Sequence, residues 1–158
     1  MRYAISDLHG CYDKYQALLK KICFGPEDTL YVLGDVLDRG PDGFRILLDM
    51  AGRSNVVGLL GNHEAMAIQA LPGLLGAGGP DWEGKAELWF QNGGEASVTG
   101  FLQLSAGEMR RAWDYLLSMP LYWELEAGGR RFVLLHDGLK GFSPNRPLKD
   151  YGQDEILW

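Results

Sequence analysis

Four short stretches carry side chains whose types and spacing suit metal and phosphate chemistry: Asp7-x-His9, Asp35-x-x-Asp38-Arg39, Asn62-His63-Glu64 and His136. In an extended chain, residues two apart project from the same face, so Asp7 and His9 can converge on one point. Carboxylate oxygen with imidazole nitrogen suits a transition metal such as Mn, Fe or Zn. Asp35, Asp38 and Arg39 sit in a tight Gly34–Gly40 loop, where clustered carboxylates and a guanidinium make a poor core but a good cation and phosphate site. Each stretch alone has a plainer reading. Asp7 and His9 could share a strand-end hydrogen bond, the Asp35–Arg39 loop could be a salt-bridged turn, and Asn62 could be a helix N-cap with Glu64 facing the helix dipole. The set is more specific than its members. The chain has three histidines, and His9, His63 and His136 each follow an apolar run by a few residues. With Asp7, Asp35 and Asn62 they form the kind of O/N ligand set that holds two cations.

The elements that must position these residues read as strands followed by helices. Arg2–Ser6, Thr29–Leu33 and Asn55–Leu60 are apolar runs of strand length, each ending in one of the polar clusters. Helices are expected over Cys11–Ile22, from Asp42 to Ala51 with Pro41 at the first helical position, and from Asn62 to about Ala70. This alternation predicts an α/β fold with parallel strands joined by crossovers, whose carboxyl ends are where open sheets place ligands. Leu71–Pro80 is rich in Gly and Pro and reads as a loop. Trp82–Phe101 reads as two short helical pieces, and Ala106–Leu117 as a helix with Met109, Trp113 and Leu116 on its core stripe. Leu121–Glu126 and Arg131–Leu135 read as a hairpin ending at His136. Leu139–Trp158 is loop-like until its last three residues.

Bulk properties narrow the function classes. A chain of 158 residues is a single domain by length, 46% hydrophobic and 23% charged as is ordinary for a globular protein. A net charge of −6 argues against a general nucleic-acid or membrane-surface binder, so an anionic substrate needs cations or a few Arg. No run reaches transmembrane length. Asp7 and His9 stand where a signal peptide needs its apolar region, so a cytoplasmic location is expected. Cys11 and Cys23, twelve residues apart on one expected helix, would be separated by about 18 Å. That is too far for a disulfide, and both are expected as buried thiols.

The motifs Asp7-x-His9, Gly34-Asp35-x-x-Asp38-Arg39-Gly40, Gly61-Asn62-His63-Glu64 and the strand-final His136 resemble those of the calcineurin-like metallophosphoesterases. Within them the chain is similar to bacterial and phage members of the serine/threonine phosphoprotein phosphatase family, which Trp89–Glu95 and Ser118–Leu121 also resemble. The resemblance covers nearly the whole chain in the expected order. It implies a sandwich of two β-sheets flanked by helices, and two divalent cations, Mn first among Mn, Fe, Zn and Ni. Asp7 and His9 would hold the first, Asn62 and His136 the second, and Asp35 would bridge them. Arg39 and Asn62 would bind the substrate phosphate. His63 would be the general acid, oriented by Asp38, opposite a metal-bridged hydroxide nucleophile. The implied activity is hydrolysis of phosphoserine or phosphothreonine in proteins, or of a small phosphoester. The alternatives are hydrolysis of diadenosine tetraphosphate, or a catalytically dead phosphate-binding module.

Two departures from the family pattern generate further expectations. Family members continue past the tryptophan matched by Trp158, with a second phosphate-binding Arg and a Gly-His element that completes the second metal. The second sheet is therefore expected to lack C-terminal strands and the second metal to bind weakly. A truncated form with poor phosphatase activity is the corresponding expectation. Asp137 stands where the family has Ala, which is expected to add a carboxylate near the site.

Overall fold

The computed structural model describes residues 1–158. Strand β1 (Arg2–Ile5) leads through helix α1 (Tyr12–Lys21) to β2 (Thr29–Val32), and β2 through α2 (Gly43–Ala51) to β3 (Val56–Gly58). The three strands form one parallel sheet in the order β1-β2-β3. Arg2 pairs with Thr29 and Ile5 with Val32, while Leu30 pairs with Val56 and Val32 with Gly58. Parallel pairing in close register puts the three carboxyl ends side by side, about 4.8 Å apart in the hydrogen-bonding direction. The central strand is the most deeply packed: Leu30, Tyr31 and Val32 are all buried, as a parallel strand covered on both faces must be.

Four helices follow: α3 (Asn62–Leu74), α4 (Trp82–Gln91), α5 (Glu95–Leu102) and α6 (Ala106–Ser118). Helix α2 buries Phe44, Ile46, Leu47 and Met50 in the main core, which also takes Trp89 of α4, Phe101 of α5 and Leu116 of α6. The start of α6 has a full capping box, with Ser105 Oγ accepting from the Glu108 amide and the Glu108 carboxylate accepting from the Ser105 amide.

Antiparallel β4 (Tyr122–Ala127) and β5 (Arg130–Leu135) make a second sheet, with Tyr122 opposite Leu135 and Ala127 opposite Arg130. Gly128 and Gly129 have φ of 56° and 72°, the positive pair that a tight two-residue hairpin turn requires. The hairpin leans on the first sheet through Tyr31 and Trp123, whose ring centroids are 6.4 Å apart. The Arg2 guanidinium also donates to the Glu126 carbonyl. The expected two-sheet α/β architecture with flanking helices is present, and the second sheet has two strands.

Several expected boundaries move. Helix α3 runs on through Pro72 to Leu74. Ala70 and Leu71 are buried and the Leu75 amide still bonds to the Leu71 carbonyl, so packing holds a turn that the Gly-Pro composition argued against. Pro41 lies outside α2, which begins at Gly43 after Asp42. The closing segment is more ordered than its polarity suggested. Leu148–Asp150 is a 3-10 turn and Gln153–Leu157 is a short helix, α7, that buries Ile156 and Leu157. Both cysteines are free, but Cys23 is exposed and Cys11 half-buried at the start of α1, so neither is the core thiol expected. No helix is long and apolar enough to cross a membrane.

Candidate active site

The three parallel strand tips and the end of the hairpin meet at Asp35. Its two carboxylate oxygens face different neighbours. Oδ2 lies 3.6 Å from His9 Nε2, which is itself 3.9 Å from Asp7 Oδ1. Oδ1 lies 3.3 Å from His136 Nε2, which is 3.1 Å from Asn62 Oδ1. The His63 amide donates to the same Oδ1 at 3.3 Å. Asp7, His9, Asp35, Asn62 and His136 are thus gathered about one centre, with Asp35 between two donor groups. Asp7 is the most loosely placed, with 59% of its side chain exposed.

The backbone around this centre is strained where the site is built. Asp7, His9, Asp35, Asp38 and Arg39 all have positive φ, five of the seven non-glycine residues that do. Such conformations persist only where neighbours enforce them. The His9 amide bonds to the Asp35 carbonyl at 2.9 Å, tying the first tip to the second. Glu64 does more. Fully buried, it accepts from the amides of Asp35, Val36 and Leu37 at 2.7–3.0 Å and from that of Gly61 at 2.9 Å. Burial raises its pKa and the backbone donors only partly counter this. Gly61, rather than Asn62, is the N-cap of α3, and a Cβ there would come within 2.4 Å of Asp35 Oδ1. With Asn62 displaced to the first helical position, its side chain is free to face His136.

The chemistry of the donors fits divalent cations. His9 Nδ1 is 2.9 Å from the Leu37 carbonyl and His136 Nδ1 is 2.7 Å from the Leu33 carbonyl. A carbonyl only accepts, so each Nδ1 carries the proton and each Nε2 presents a lone pair to the centre, the arrangement typical of metal-binding imidazoles. His9 Nε2 is buried with no hydrogen-bond partner. Around His136, three atoms able to offer lone pairs converge: its Nε2, Asn62 Oδ1 and Asp35 Oδ1. Metal bonds of about 2.1 Å separate neighbouring ligand atoms by about 3.0–3.4 Å, close to the spacings on the His136 side and slightly shorter than those around His9.

His63 and Arg39 stand beside this centre. His63 Nε2 is 3.7 Å from Asp35 Oδ2, and His9, Asp35 and His63 each offer a possible ligand atom, all within 4.8 Å of one another. Its other contacts set it apart from His9. Nδ1 donates to Asp38 Oδ2 at 2.6 Å, and Nε2 is 3.2 Å from Arg39 Nη2. Burial works against the imidazolium, but the Asp38 hydrogen bond and the charges of Asp35 and Asp38 outweigh it, so the His63 pKa lies above its ordinary value. Arg39 is exposed and its guanidinium reaches the cluster through His63. Asp137, which follows His136, is exposed.

The contacts that three residues make with this site were not read from the sequence. Glu64 was read only as a first-turn carboxylate. Trp89 and Ser97 bind the Asp38 carboxylate from 51 and 59 residues away, beyond the reach of any spacing rule.

The family model of the calcineurin-like phosphoesterases matches residues 3–158. Serine/threonine-protein phosphatase 2 of Escherichia coli (strain K12) is 28% identical over 160 residues, covering 99% of this chain and 66% of that protein. The symmetrical bis(5'-nucleosyl)-tetraphosphatase of Delftia acidovorans is 39% identical over 74 residues, covering 46% of this chain and 26% of that protein. Among solved structures, a putative diadenosine tetraphosphatase superposes with a TM-score of 0.64 at 24% identity, over 98% of this chain and 56% of that one. The chain spans less than two thirds of the length of these proteins.

Proposed function

The chain belongs to the calcineurin-like phosphoesterases, and from that premise we propose that its cluster is the active site of a metal-dependent phosphomonoesterase acting on phosphoserine and phosphothreonine in proteins. The observation that carries this reading is Asp35, whose two oxygens face separate donor groups while Arg39 and His63 flank them. Asp7, His9 and Asp35 would hold one divalent cation, and Asp35, Asn62 and His136 a second, with Mn as the first candidate. Bound there, the cations supply positive charge against the phosphoryl oxygens and make a water acidic enough to attack at neutral pH.

The remaining steps fall to the chain's own residues. The Arg39 guanidinium is a planar fork suited to two phosphoryl oxygens, with Asn62 as the second phosphate-binding candidate. Arg39 Nη2 and His63 Nε2 meet at 3.2 Å, so a phosphate gripped by Arg39 brings its ester oxygen to His63. With Arg39 turned from Nε2 to the phosphate, His63 in its imidazolium form then gives its Nε2 proton to the departing alkoxide. Asp38 holds the opposite Nδ1–H, which keeps the ring aimed and steadies the imidazolium before transfer.

A second reading draws on the relatives named for dinucleoside tetraphosphates. The two are separated by assaying a phosphoserine peptide and diadenosine tetraphosphate in parallel with Mn²⁺, with His63→Ala as control. Preferential turnover of the peptide supports the proposal. Preferential turnover of the dinucleotide supports the second reading. Metal binding without turnover of either, or of an aryl phosphate, would mark a phosphate-binding module and overturn both.

A further inference from the structure

The α4–α5 pair holds Asp38 and Arg39 with three handles. The Trp89 indole N–H straddles the Asp38 carboxylate, 2.8 Å from Oδ2 and 3.0 Å from Oδ1. The Ser97 hydroxyl donates to Oδ1 at 2.6 Å and at the same time accepts the Asp38 amide at 2.8 Å. The Gly93 carbonyl, in the turn between the helices, accepts the Arg39 amide at 3.1 Å. Asp38 and Arg39 have φ of 69° and 65°, a conformation side-chain-bearing residues adopt only under constraint. Trp89, Ser97 and Asp38 are all buried, so no solvent substitutes for a missing donor.

These contacts fix a direction. A carboxylate held by one donor can swing about its terminal torsion, which is broad and soft. Asp38 is held on Oδ1 by Ser97, on Oδ2 by His63 and across both by Trp89, so it has one orientation, and His63 Nδ1 must meet it there. The position of His63 Nε2, on the far side of the ring, follows.

We infer that Trp89 and Ser97 are positioning residues for phosphoester hydrolysis, acting through Asp38 to set the direction in which His63 offers Nε2. The inference rests on the preceding reading of His63 as the proton donor. If it holds, Trp89 and Ser97 matter most where the leaving group needs a proton. An alkoxide from phosphoserine does, whereas a nitrophenolate leaves without one.

The test compares Ser97→Ala and Trp89→Phe with the unaltered chain on two substrates, a phosphoserine peptide and p-nitrophenyl phosphate, and records the His63 Nδ1 proton by NMR, which requires no turnover. Expected for both variants is a fall in kcat on the peptide of about tenfold or more, with KM little changed and p-nitrophenyl phosphate turnover within about threefold of the unaltered chain. The His63 proton resonance should move upfield and exchange faster with water. Ser97→Ala removes one oxygen and carries the test alone if the Trp89 variant does not fold. Equal losses on the two substrates, or no loss, with the His63 resonance unmoved would overturn the inference. His63→Ala keeps the two levels distinct. If that variant does not discriminate between the substrates, the proton-donor reading fails, and the resonance in Ser97→Ala then decides: a shift supports the clamp and no shift overturns it.

Discussion

The two sides of the candidate site are built to different standards. On the parallel-sheet side, Asp35, Asp38, His63 and Glu64 are buried and cross-linked by hydrogen bonds spanning loops and helices. On the hairpin side, His136 follows a strand whose Phe132 and Val133 are 44% and 42% exposed, and Trp123 on the neighbouring strand is 40% exposed. The hairpin is attached by the His136 bonds to Leu33 and Asn62, the Arg2 bond to Glu126, the Tyr31–Trp123 contact and the packing of half-buried Tyr122 and Leu135 against the core. A site assembled this way has one rigid wall that stores backbone strain and one wall that docks against it. The difference teaches that residues of equal chemical importance can have very unequal structural importance.

The largest effect should come from the rigid wall. Glu64→Ala leaves four buried amides without an acceptor and should cost at least about 3 kcal/mol in denaturant unfolding. A loss below about 1 kcal/mol would mean that the loops hold themselves. His136→Ala should cost little stability, within about 1 kcal/mol, while removing one metal-binding event seen by calorimetry. That pair of variants breaks the comparison if both destabilise alike. A subtler difference should appear in hydrogen exchange. Amides of β2 should exchange by global unfolding, and those of β4 and β5 by local opening at lower free energy. Similar protection in both sheets would argue that the hairpin is as firmly set as the core.

The smallest effect lies away from both walls. In the closing segment Arg146 grips Glu155 through bonds of 2.6 and 2.8 Å, and this pairing, with the Gly152 amide, holds the Glu155 carboxyl down to about 2. A lowered carboxyl pKa stabilises the fold fully above the ordinary value of 4.5 and loses that contribution as pH falls towards 2. Glu155→Gln should therefore flatten the acid limb of the stability profile between those values, with a small loss of stability at neutral pH that vanishes as pH falls towards 2. A profile identical to that of the unaltered chain would remove this pair from the account.

Much of the parallel-sheet wall was legible in the residues because its functional side chains sit next to strand ends, and strand ends are marked by apolar runs closing on Gly. Asp35 and His63 were found that way, and so was the hairpin that delivers His136. What escaped was set by contacts distant in sequence or by packing. Trp89 was noted only within a stretch resembling the family, since nothing local reveals that its indole N–H meets a carboxylate 51 residues away. Glu64 was visible as a helix-start carboxylate, yet its bonds to Asp35, Val36 and Leu37 depend on β2 and β3 lying side by side. Composition misjudged α3, where burial of Leu71 outweighs the presence of Pro72. It also misplaced Cys23, which the turn after α1 leaves in solvent.

The central claim is that one carboxylate, Asp35, serves two cation positions with separate partners. Calorimetric titration of Mn²⁺ into the unaltered chain and into Asp35→Ala, His9→Ala and His136→Ala tests it most directly. The account predicts two binding events in the unaltered chain, one removed by His9→Ala, the other by His136→Ala, and both abolished or severely weakened by Asp35→Ala. Mn²⁺ binding that survives Asp35→Ala undiminished would contradict it.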